Sequence, residues 1–554
     1  MMHVPARIAA ALLLTLPAAP AVPAARDSAC PRGEAWSLSI GAERALERGA
    51  WPEAARDYAC AARESSDAAV AERATRTAYD NLQLERAAES ALRWLALAPD
   101  SEVARRYLST SLLRLYDEDG AVEQFAKLLE TSYADRARGY LVLLGILSAE
   151  DNDTGAARVM DRLAAGDAAL PEAQYAAAML WQRAENGAKA LAATERALAL
   201  RPDYPQAEFA RVRALTTVGR RDEALNLSAK LAATGDPFMQ LSHAWQLLGE
   251  ERREDAAVLF EELRRTGNAA SADAASALAS IAIDEERFDD AERLVDDAAR
   301  DPEQAAGARW QRARIAEERG DKMGAARLYQ AIETGPRALG AQLRAHALLR
   351  EGGAPEMAEL LIDDYLDAAP GDTVDVVSGV AASLVEEGRG AEAIALVDRA
   401  RAMLPGDSLL LARGFLLERL DRVPEAVADM RKVAERRPND PTALNALGYT
   451  LVDRTRSVEE GTRLISRAIA EKPDSYAIQD SMGWALVQAG RLDEGKSWLE
   501  KAWDGSEDPE VAAHLGEALW RMGNTAEAKK LWDEALAANP DSRPLKRAIE
   551  RRGK

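Results

Sequence analysis

The chain has 554 residues, of which 47% are apolar and 29% are charged, and this composition excludes ordinary disorder. It carries 92 Asp and Glu residues against 71 Lys and Arg residues, a formal net charge of −21 at pH 7. Such an excess of negative charge opposes sequence-independent binding to nucleic acid or to an anionic membrane surface, because both require a cationic face. A packed all-α protein is the class that remains.

The first 24 residues have the pattern of a secretory signal peptide. Arg7 supplies a weak positive charge, Ile8 to Leu16 form an apolar core, and small residues between Ala19 and Ala24 offer a cleavage site. The apolar core is too short to span a bilayer, and no other stretch approaches that length. The pattern predicts an exported chain without a membrane span, in which residues 25–34 precede the folded part.

Both cysteines lie near the predicted mature N-terminus, and three states are open to them. Cys30 follows Ala29, as in a lipoprotein signal, but Asp27 stands where such a signal has an aliphatic residue, so we do not expect a lipid anchor at Cys30. A disulfide to Cys60 would join two points at the same end of an antiparallel helix hairpin. It would stabilise the fold by roughly 3–4 kcal/mol in an oxidising compartment. Free thiols are the third alternative.

From residue 35 onward, a small residue recurs every 32 to 35 residues, at a position predicted to open the second helix of a pair. The series contains Ala54, Ala87, Ala121, Ala156, Ala190, Ala224, Ala256, Ala291, Ala325, Ala358, Ala393, Ala426, Gly461, Gly495 and Ala528. Glycines that suit a helix end recur before it, at Gly49, Gly219, Gly320, Gly353, Gly388, Gly490 and Gly523. Prolines that close units recur after it, at Pro99, Pro202, Pro370, Pro405, Pro438, Pro473 and Pro540. Helix pairs with this spacing cannot bury their apolar faces alone and must stack.

The pattern is clearest from Thr442 to Pro540, where it resembles the tetratricopeptide repeat (TPR). There Leu447-Gly448, Met482-Gly483 and Leu515-Gly516 are expected to open first helices, and Ala468, Ala502 and Ala535 follow the second-helix residue by seven positions. The resemblance implies an α-solenoid of about 15 TPR hairpins over residues 35–540. They would wind into a right-handed superhelix of about two turns, lined inside by the first helices. Residues 541–554 would form a basic capping helix.

No pattern in the chain predicts a catalytic residue, a metal ligand set or a cofactor. Residues 490–497 match the phosphate-loop pattern G-x-x-x-x-G-K-S/T, but a helix precedes them where a nucleotide site needs a strand, so we assign them to a repeat turn. His243, His346 and His514 lie in distant repeats, and none has a second histidine or cysteine at metal-ligand spacing. We therefore predict a protein that is not an enzyme.

The first helices of the last three repeats carry a stripe of aromatic and polar residues at helical spacing. We predict that it binds partners through Asn445, Tyr449, Asp480, Trp484, Glu517 and Trp520. Rings supply contact area at low entropic cost, and an amide can bond a partner's main chain. The alternative is that Trp484 and Trp520 fill the core between repeats. Tyr175, Phe209, Trp245 and Trp310 occupy the analogous stripe upstream. Two roles are open to them, widening the same surface or filling the core, and core filling is the favoured one.

The blocks Asn445 to Tyr449, Asp480 to Trp484 and Asp508 to Trp520 resemble exported bacterial TPR proteins. That group includes the outer-membrane lipoprotein adaptor of a periplasmic carboxy-terminal processing protease. The resemblance implies a periplasmic adaptor, associated with the outer membrane, that delivers peptidoglycan hydrolases to the protease. Gly461 and Gly495 depart from the group by replacing alanines. The competing hypothesis is a scaffold for the assembly of envelope polysaccharide export.

Overall fold

The structure is a computed structural model that describes residues 30–368, 372–404, 406–455, 457–506, 508–540 and 542–552. These residues form 31 α-helices and one short 3-10 turn, with no β-strand among them. The predicted signal peptide at residues 1–24 and residues 25–29 of the N-terminal segment lie outside the described residues. The predicted all-α solenoid is confirmed.

Thirty of the helices form fifteen consecutive pairs, and the last helix follows the fifteenth pair. The helices of the first eight pairs are α1 Ala35–Glu47, α2 Trp51–Glu64, α3 Ala68–Asp80, α4 Leu84–Leu97, α5 Glu102–Arg114, α6 Glu118–Ser132, α7 Arg136–Ser148, α8 Asp153–Gly166, α9 Pro171–Arg183, α10 Gly187–Leu200, α11 Pro205–Thr217, α12 Arg221–Ala232, α13 Pro237–Gly249, α14 Arg253–Thr266, α15 Ser271–Asp284 and α16 Phe288–Ala298. The remaining helices are α17 Ala305–Glu318, α18 Lys322–Gln330, α19 Ala338–Glu351, α20 Pro355–Ala368, α21 Thr373–Glu386, α22 Gly390–Met403, α23 Asp407–Arg419, α24 Val423–Arg436, α25 Pro441–Arg454, α26 Val458–Glu471, α27 Tyr476–Gln488, α28 Leu492–Ser506, α29 Pro509–Arg521, α30 Thr525–Ala538 and α31 Arg543–Arg552.

The small residue predicted to open each second helix is the fourth residue of that helix in all fifteen pairs. The thirteen alanines of the series are at most 1% exposed, and Gly461 and Gly495 are buried. At this point the two helices of a pair cross, and a larger side chain would hold their backbones apart. The periodic prediction of the second helices is therefore confirmed.

The prediction for the first helices was wrong in detail. Gly448, Gly483 and Gly516 do not open α25, α27 and α29 but are the eighth residue of each. A β-carbon added to Gly448 would lie 2.9 Å from the carbonyl oxygen of Gly461, and one added to Gly483 would lie 2.9 Å from that of Gly495. Small residues are needed in mid-helix because that is where the first helix meets the second.

In thirteen of the fifteen pairs, the turn uses one left-handed residue that lies two positions before the second helix begins. All seven predicted glycines adopt this conformation, with φ between 67° and 91°. Six further turns place a non-glycine residue there at φ 53° to 62°, namely Leu82, Tyr116, Glu185, Glu251, Glu286 and Asp421. The five described closing prolines each follow the end of a second helix by two residues, whereas Pro370 and Pro405 lie outside the described residues.

Successive turns of the superhelix touch along a line that we call the seam. The Tyr116 hydroxyl donates to Asp440 Oδ2 at 3.1 Å, across 324 residues. The Arg158 guanidinium pairs with Glu471, and the amide of Gly187 donates to Asp474 Oδ2 at 2.7 Å. With about 34 residues per repeat, these separations correspond to eight to ten repeats, so one turn of the array brings such residues together.

At the N-terminus, the structure places a disulfide between Cys30 and Cys60, whose Cα atoms are 5.6 Å apart. The bond ties the segment before α1 to the interior of α2, where Cys60 is 2% exposed. At the other end, α31 packs on α29 and α30 and buries Leu545 completely. None of the described helices is both long and apolar enough to cross a bilayer.

Candidate partner-binding site at the C-terminal repeats

The predicted stripe lies on α25, α27 and α29, and the structure divides it by depth. Asn445, Tyr449 and Trp520 are half-buried. Asp480, Trp484 and Glu517 are buried, with exposed fractions of 6%, 5% and 7%. Three of the six residues therefore reach the surface, and three lie beneath it. Their role in partner binding stays a prediction.

His514 lies at the centre of the buried layer. Its Nδ1 is 2.9 Å from Asp480 Oδ1 and 3.0 Å from Asp480 Oδ2, and its ring stacks on Trp484 with ring centroids 4.3 Å apart. Burial alone would lower the pKa of His514, but the Asp480 carboxylate outweighs it and raises the pKa above the ordinary 6.5. The His514–Asp480 contact is buried and joins α27 to α29, and it is an ion pair when His514 is protonated.

Two more bonds tie the three helices together. Trp484 Nε1 donates to Asp453 Oδ1 of α25 at 3.0 Å, and the Tyr449 hydroxyl donates to Glu510 Oε1 of α29 at 2.6 Å. Burial and the Glu510 carboxylate raise the pKa of Tyr449 well above its ordinary value, so the hydroxyl stays a donor at neutral pH. The bond between Tyr449 and Glu510 directly joins first helices that are two repeats apart.

We call the residues in these contacts the C-terminal cluster: Tyr449, Asp453, Asp480, Trp484, Glu510, His514, Glu517 and Arg521. Arg521 completes it, because its guanidinium lies 5.7 Å from the Trp484 ring and donates to Glu517 at 2.7 Å. The cluster spans three repeats and consists mainly of charged groups and rings.

Trp520 lies beside this cluster and belongs to a second aromatic group. Its ring stacks on Trp532 of α30 at 5.9 Å, and Trp532 is 2% exposed against Gly516. Asn445 is the remaining predicted residue. Its Oδ1 is buried and accepts no hydrogen bond within the described structure. An acceptor in that state is costly, and water or a partner donor would relieve the cost.

The phosphate-loop pattern occupies the place assigned to it from the sequence. Gly490 is the left-handed turn residue between α27 and α28 at φ 80°. Gly495 packs against Gly483, and the Lys496 ammonium pairs with Glu500 one helical turn away. A helix precedes the loop, so the strand that a phosphate cradle requires is absent from this described segment.

Four members of the C-terminal cluster were missed by the sequence analysis. Asp453 lies four residues after Tyr449 on α25, and Glu510, His514 and Arg521 continue the stripe on α29. Extending the same i, i+4, i+7 spacing in both directions would have found them. From the sequence, we expected His514 to be a partly buried helical residue, and we did not predict its contact with Asp480.

Among the upstream aromatic residues, the expectation of core filling was wrong for Trp245. Its side chain is 46% exposed, although one face meets Phe260 edge-on with centroids 5.2 Å apart. Tyr175, Phe209 and Trp310 are half-buried. Trp310 and Tyr175 pack against Tyr329 and Tyr204, at centroid distances of 5.0 and 5.3 Å.

The family profile described as tetratricopeptide repeat matches residues 486–551. Within residues 486–551 the chain therefore carries the tetratricopeptide repeat pattern. The chain is similar to the TPR repeat-containing protein PA4667 of Pseudomonas aeruginosa, with 35% identity over 205 residues. The match covers 37% of this chain and 35% of the relative, so the chain spans about a third of that protein's length.

Solved structures resemble this chain at low identity. The Cut9–Hcn1 hetero-tetramer of APC/C shares 15% identity over 93% of this chain and 96% of its own, with a TM-score of 0.32. A TPR protein of Parabacteroides merdae shares 16% identity over 45% of this chain and 98% of its own, with a TM-score of 0.33. TTC0263 of Thermus thermophilus shares 21% identity over 32% of this chain and 97% of its own, with a TM-score of 0.29.

Proposed function

We infer that the chain is a protein-interaction scaffold, which is the coarse function that TPR repeats support. We propose that this chain is a non-enzymatic adaptor in the bacterial periplasm that captures protein partners on the inner face of its last three repeats. In its most specific form the proposal is that the partners are a processing protease and the peptidoglycan hydrolases delivered to it.

The observation that carries the proposal is the arrangement of the stripe in two layers. The C-terminal cluster joins α25, α27 and α29 and holds the half-buried Tyr449 ring through its bond to Glu510. Beside the cluster, the half-buried Trp520 ring is held by its stacking on Trp532. A surface that is ordered before binding loses little conformational entropy when a partner docks. Rigid aromatic side chains on such a surface are typical binding hot spots.

Export rests on two supports at the N-terminus. Residues 1–24 have the composition of a signal peptide, although they lie outside the described residues. The Cys30–Cys60 pairing requires an oxidising compartment to form and persist. The pairing also uses the Cys30 thiol that a lipid anchor would need, which favours a chain without that anchor.

The proposal is tested by a pull-down from crosslinked cell envelope with three forms of the full chain. They are the wild type, Trp520→Ala and Trp498→Ala, where Trp498 is a half-buried tryptophan on the second helix α28 and serves as the matched control. Recovery of a protease together with cell-wall hydrolases, lost in Trp520→Ala and kept in Trp498→Ala, is the expected result.

The other outcomes each remove part of the proposal. Identical partner sets in all three forms would show that the C-terminal repeats are not the binding surface. Partners that include neither a protease nor a hydrolase would remove the delivery role and leave a scaffold of another kind. A chain that stays in the cytoplasm would remove the periplasmic location.

A further inference from the structure

A cleft of about 860 Å³ opens between the two turns of the superhelix. One wall comes from the turns and helices around α9 to α13, and the other from α27, α28 and the loop before α27. The residues that the argument uses are Arg221, Trp245, Glu250, Asp474, Tyr476 and Lys501. The cleft shares no residue with the C-terminal cluster, so it is a separate surface.

Seam contacts hold the two walls at a fixed separation. Asp474 Oδ2 accepts from the amide of Gly187 at 2.7 Å, which satisfies one of the free N–H groups at the start of α10. Arg221 donates to the carbonyl oxygen of Asp504 at 2.9 Å. The cleft is thus formed before any partner binds, so binding a ligand would not include the free-energy cost of bringing the walls together.

Each wall contributes one exposed aromatic ring. Trp245 from the first turn is 46% exposed, and Tyr476 from the second turn is 50% exposed. Aromatic side chains that line one concave surface are typical of binding sites. Phe238 is exposed on the same helix as Trp245 but does not line the cleft.

The side chains that line the cleft have a net negative charge. Four carboxylates line the cleft, from Glu185, Glu250, Asp474 and Asp504, against the two cationic side chains of Arg221 and Lys501. Lys501 is already close to one of the acids, with its Nζ 3.8 Å from Asp474 Oδ1. An excess of negative charge beside exposed rings attracts cations and repels phosphate-bearing polymers.

We propose that this inter-turn cleft binds an extended polypeptide segment that presents a lysine or arginine side chain. The aliphatic stem of such a side chain packs on Trp245 or Tyr476, and the cationic head lies over a ring and beside the carboxylates. A cleft of this volume admits a few residues, which suits a short linear segment rather than a folded domain.

The test uses the full chain and a fluorescently labelled heptapeptide of alternating glycine and lysine, followed by anisotropy at physiological salt. Trp245→Ala is compared with Phe238→Ala on the same helix, and Glu250→Gln with Glu251→Gln, an exposed neighbour outside the lining. We expect about a tenfold loss of affinity for Trp245→Ala and about a threefold loss for Glu250→Gln. Both control variants should stay within about twofold of the wild type.

Equal losses in Glu250→Gln and Glu251→Gln would mean that the peptide responds only to the overall negative charge, and would overturn the proposal. So would binding that is unchanged in Trp245→Ala. Glu250→Gln conserves shape, so it reports on the cleft even if Trp245→Ala does not fold. Trp520→Ala in the same assay separates this cleft from the C-terminal repeats, because its affinity should be unchanged if the cleft is the site.

Discussion

The middle of the solenoid, α13 to α20, and its C-terminal part, α23 to α31, use the same repeat but are joined differently. In the middle, the buried apolar residues fall into several small clusters. Exposed pairs such as Arg312–Asp296 at 2.6 Å and Arg314–Asp284 at 3.1 Å link neighbouring hairpins. In the C-terminal part, one apolar cluster runs from Leu410 to Leu545. Side-chain bonds, of which the one between His514 and Asp480 is buried, couple three first helices there.

The difference shows that a uniform repeat does not give uniform stiffness. Exposed ion pairs contribute little, since water and salt screen them, whereas a continuous core and buried bonds must be broken together. The inter-turn bonds described above also lie outside α14 to α20 and connect the two large apolar clusters at either end. We therefore expect the middle to bend while the ends stay fixed.

The largest effect on stability should come from Gly461→Ala, which changes a glycine at the point where α25 and α26 cross. The new β-carbon would lie 2.5 Å from the carbonyl oxygen of Gly448. The backbone fixes the position of the β-carbon and the oxygen is itself a backbone atom, so α25 and α26 must separate. We expect a loss of about 3 kcal/mol in local stability. It is measured as faster amide hydrogen exchange throughout α25 and α26, because a long array need not unfold as one unit.

Gly145→Ala is the control for this substitution. Gly145 is exposed within α7, and an added β-carbon would meet no atom within 4 Å. Alanine is the better helix former by about 1 kcal/mol, so α7 should exchange more slowly. If both variants changed in the same direction, close backbone packing would not be the reason for glycine at the crossing.

A second effect should come from opening the seam with Arg158→Ala. Arg158 bonds Glu118 on its own turn, with Nε to Oε1 at 3.0 Å, and pairs with Glu471 on the next turn. Its loss removes about 2 kcal/mol of charged hydrogen bonding and leaves two carboxylates facing each other. X-ray scattering should show a larger radius of gyration than for the wild type. An unchanged radius would mean that the turns stay in contact without this residue.

The third effect concerns pH and the His514–Asp480 pair. The folded-state pKa of His514 is raised above the ordinary 6.5, so the pair stabilises fully below about pH 6.5 and the contribution is lost as pH rises through the raised value. The difference in Tm between wild type and His514→Gln should therefore be larger at pH 6 than at pH 9. His243 and His346 have pKa values lowered by burial, and because both proteins contain them, their opposite contributions cancel in this difference.

The smallest effect should come from the middle, through Arg319→Ala. Arg319 pairs with Asp289 at 3.0 Å and with Glu292, but its side chain is 39% exposed and that of Asp289 is 96% exposed. We expect a loss below about 1 kcal/mol that becomes smaller still in high salt, and no change in the radius of gyration. A loss as large as that of Gly461→Ala would contradict the contrast between the two regions.

Much of the fold could be predicted because the residues that mark each part of a repeat recur many times along the chain. The second-helix residue, the turn glycine and the closing proline each recur in phase, and the structure places them as expected wherever they are described. The non-glycine turn residues were not predicted, since nothing in the local sequence of Tyr116 or Glu185 marks a left-handed turn. The repeat imposes the conformation there, and both residues lie at the seam.

By itself, the sequence determined the helix pairs, their number and the small residue near the start of each second helix, because these depend on contacts within about 34 residues. Only the tertiary structure decided which stripe residues lie on the surface and which are buried beneath it. It alone decided that Asp474 meets Gly187 across 287 residues and that Trp245 faces a cleft. The physical reason is that small rotations between neighbouring repeats add up over a full turn, and no single repeat records their sum.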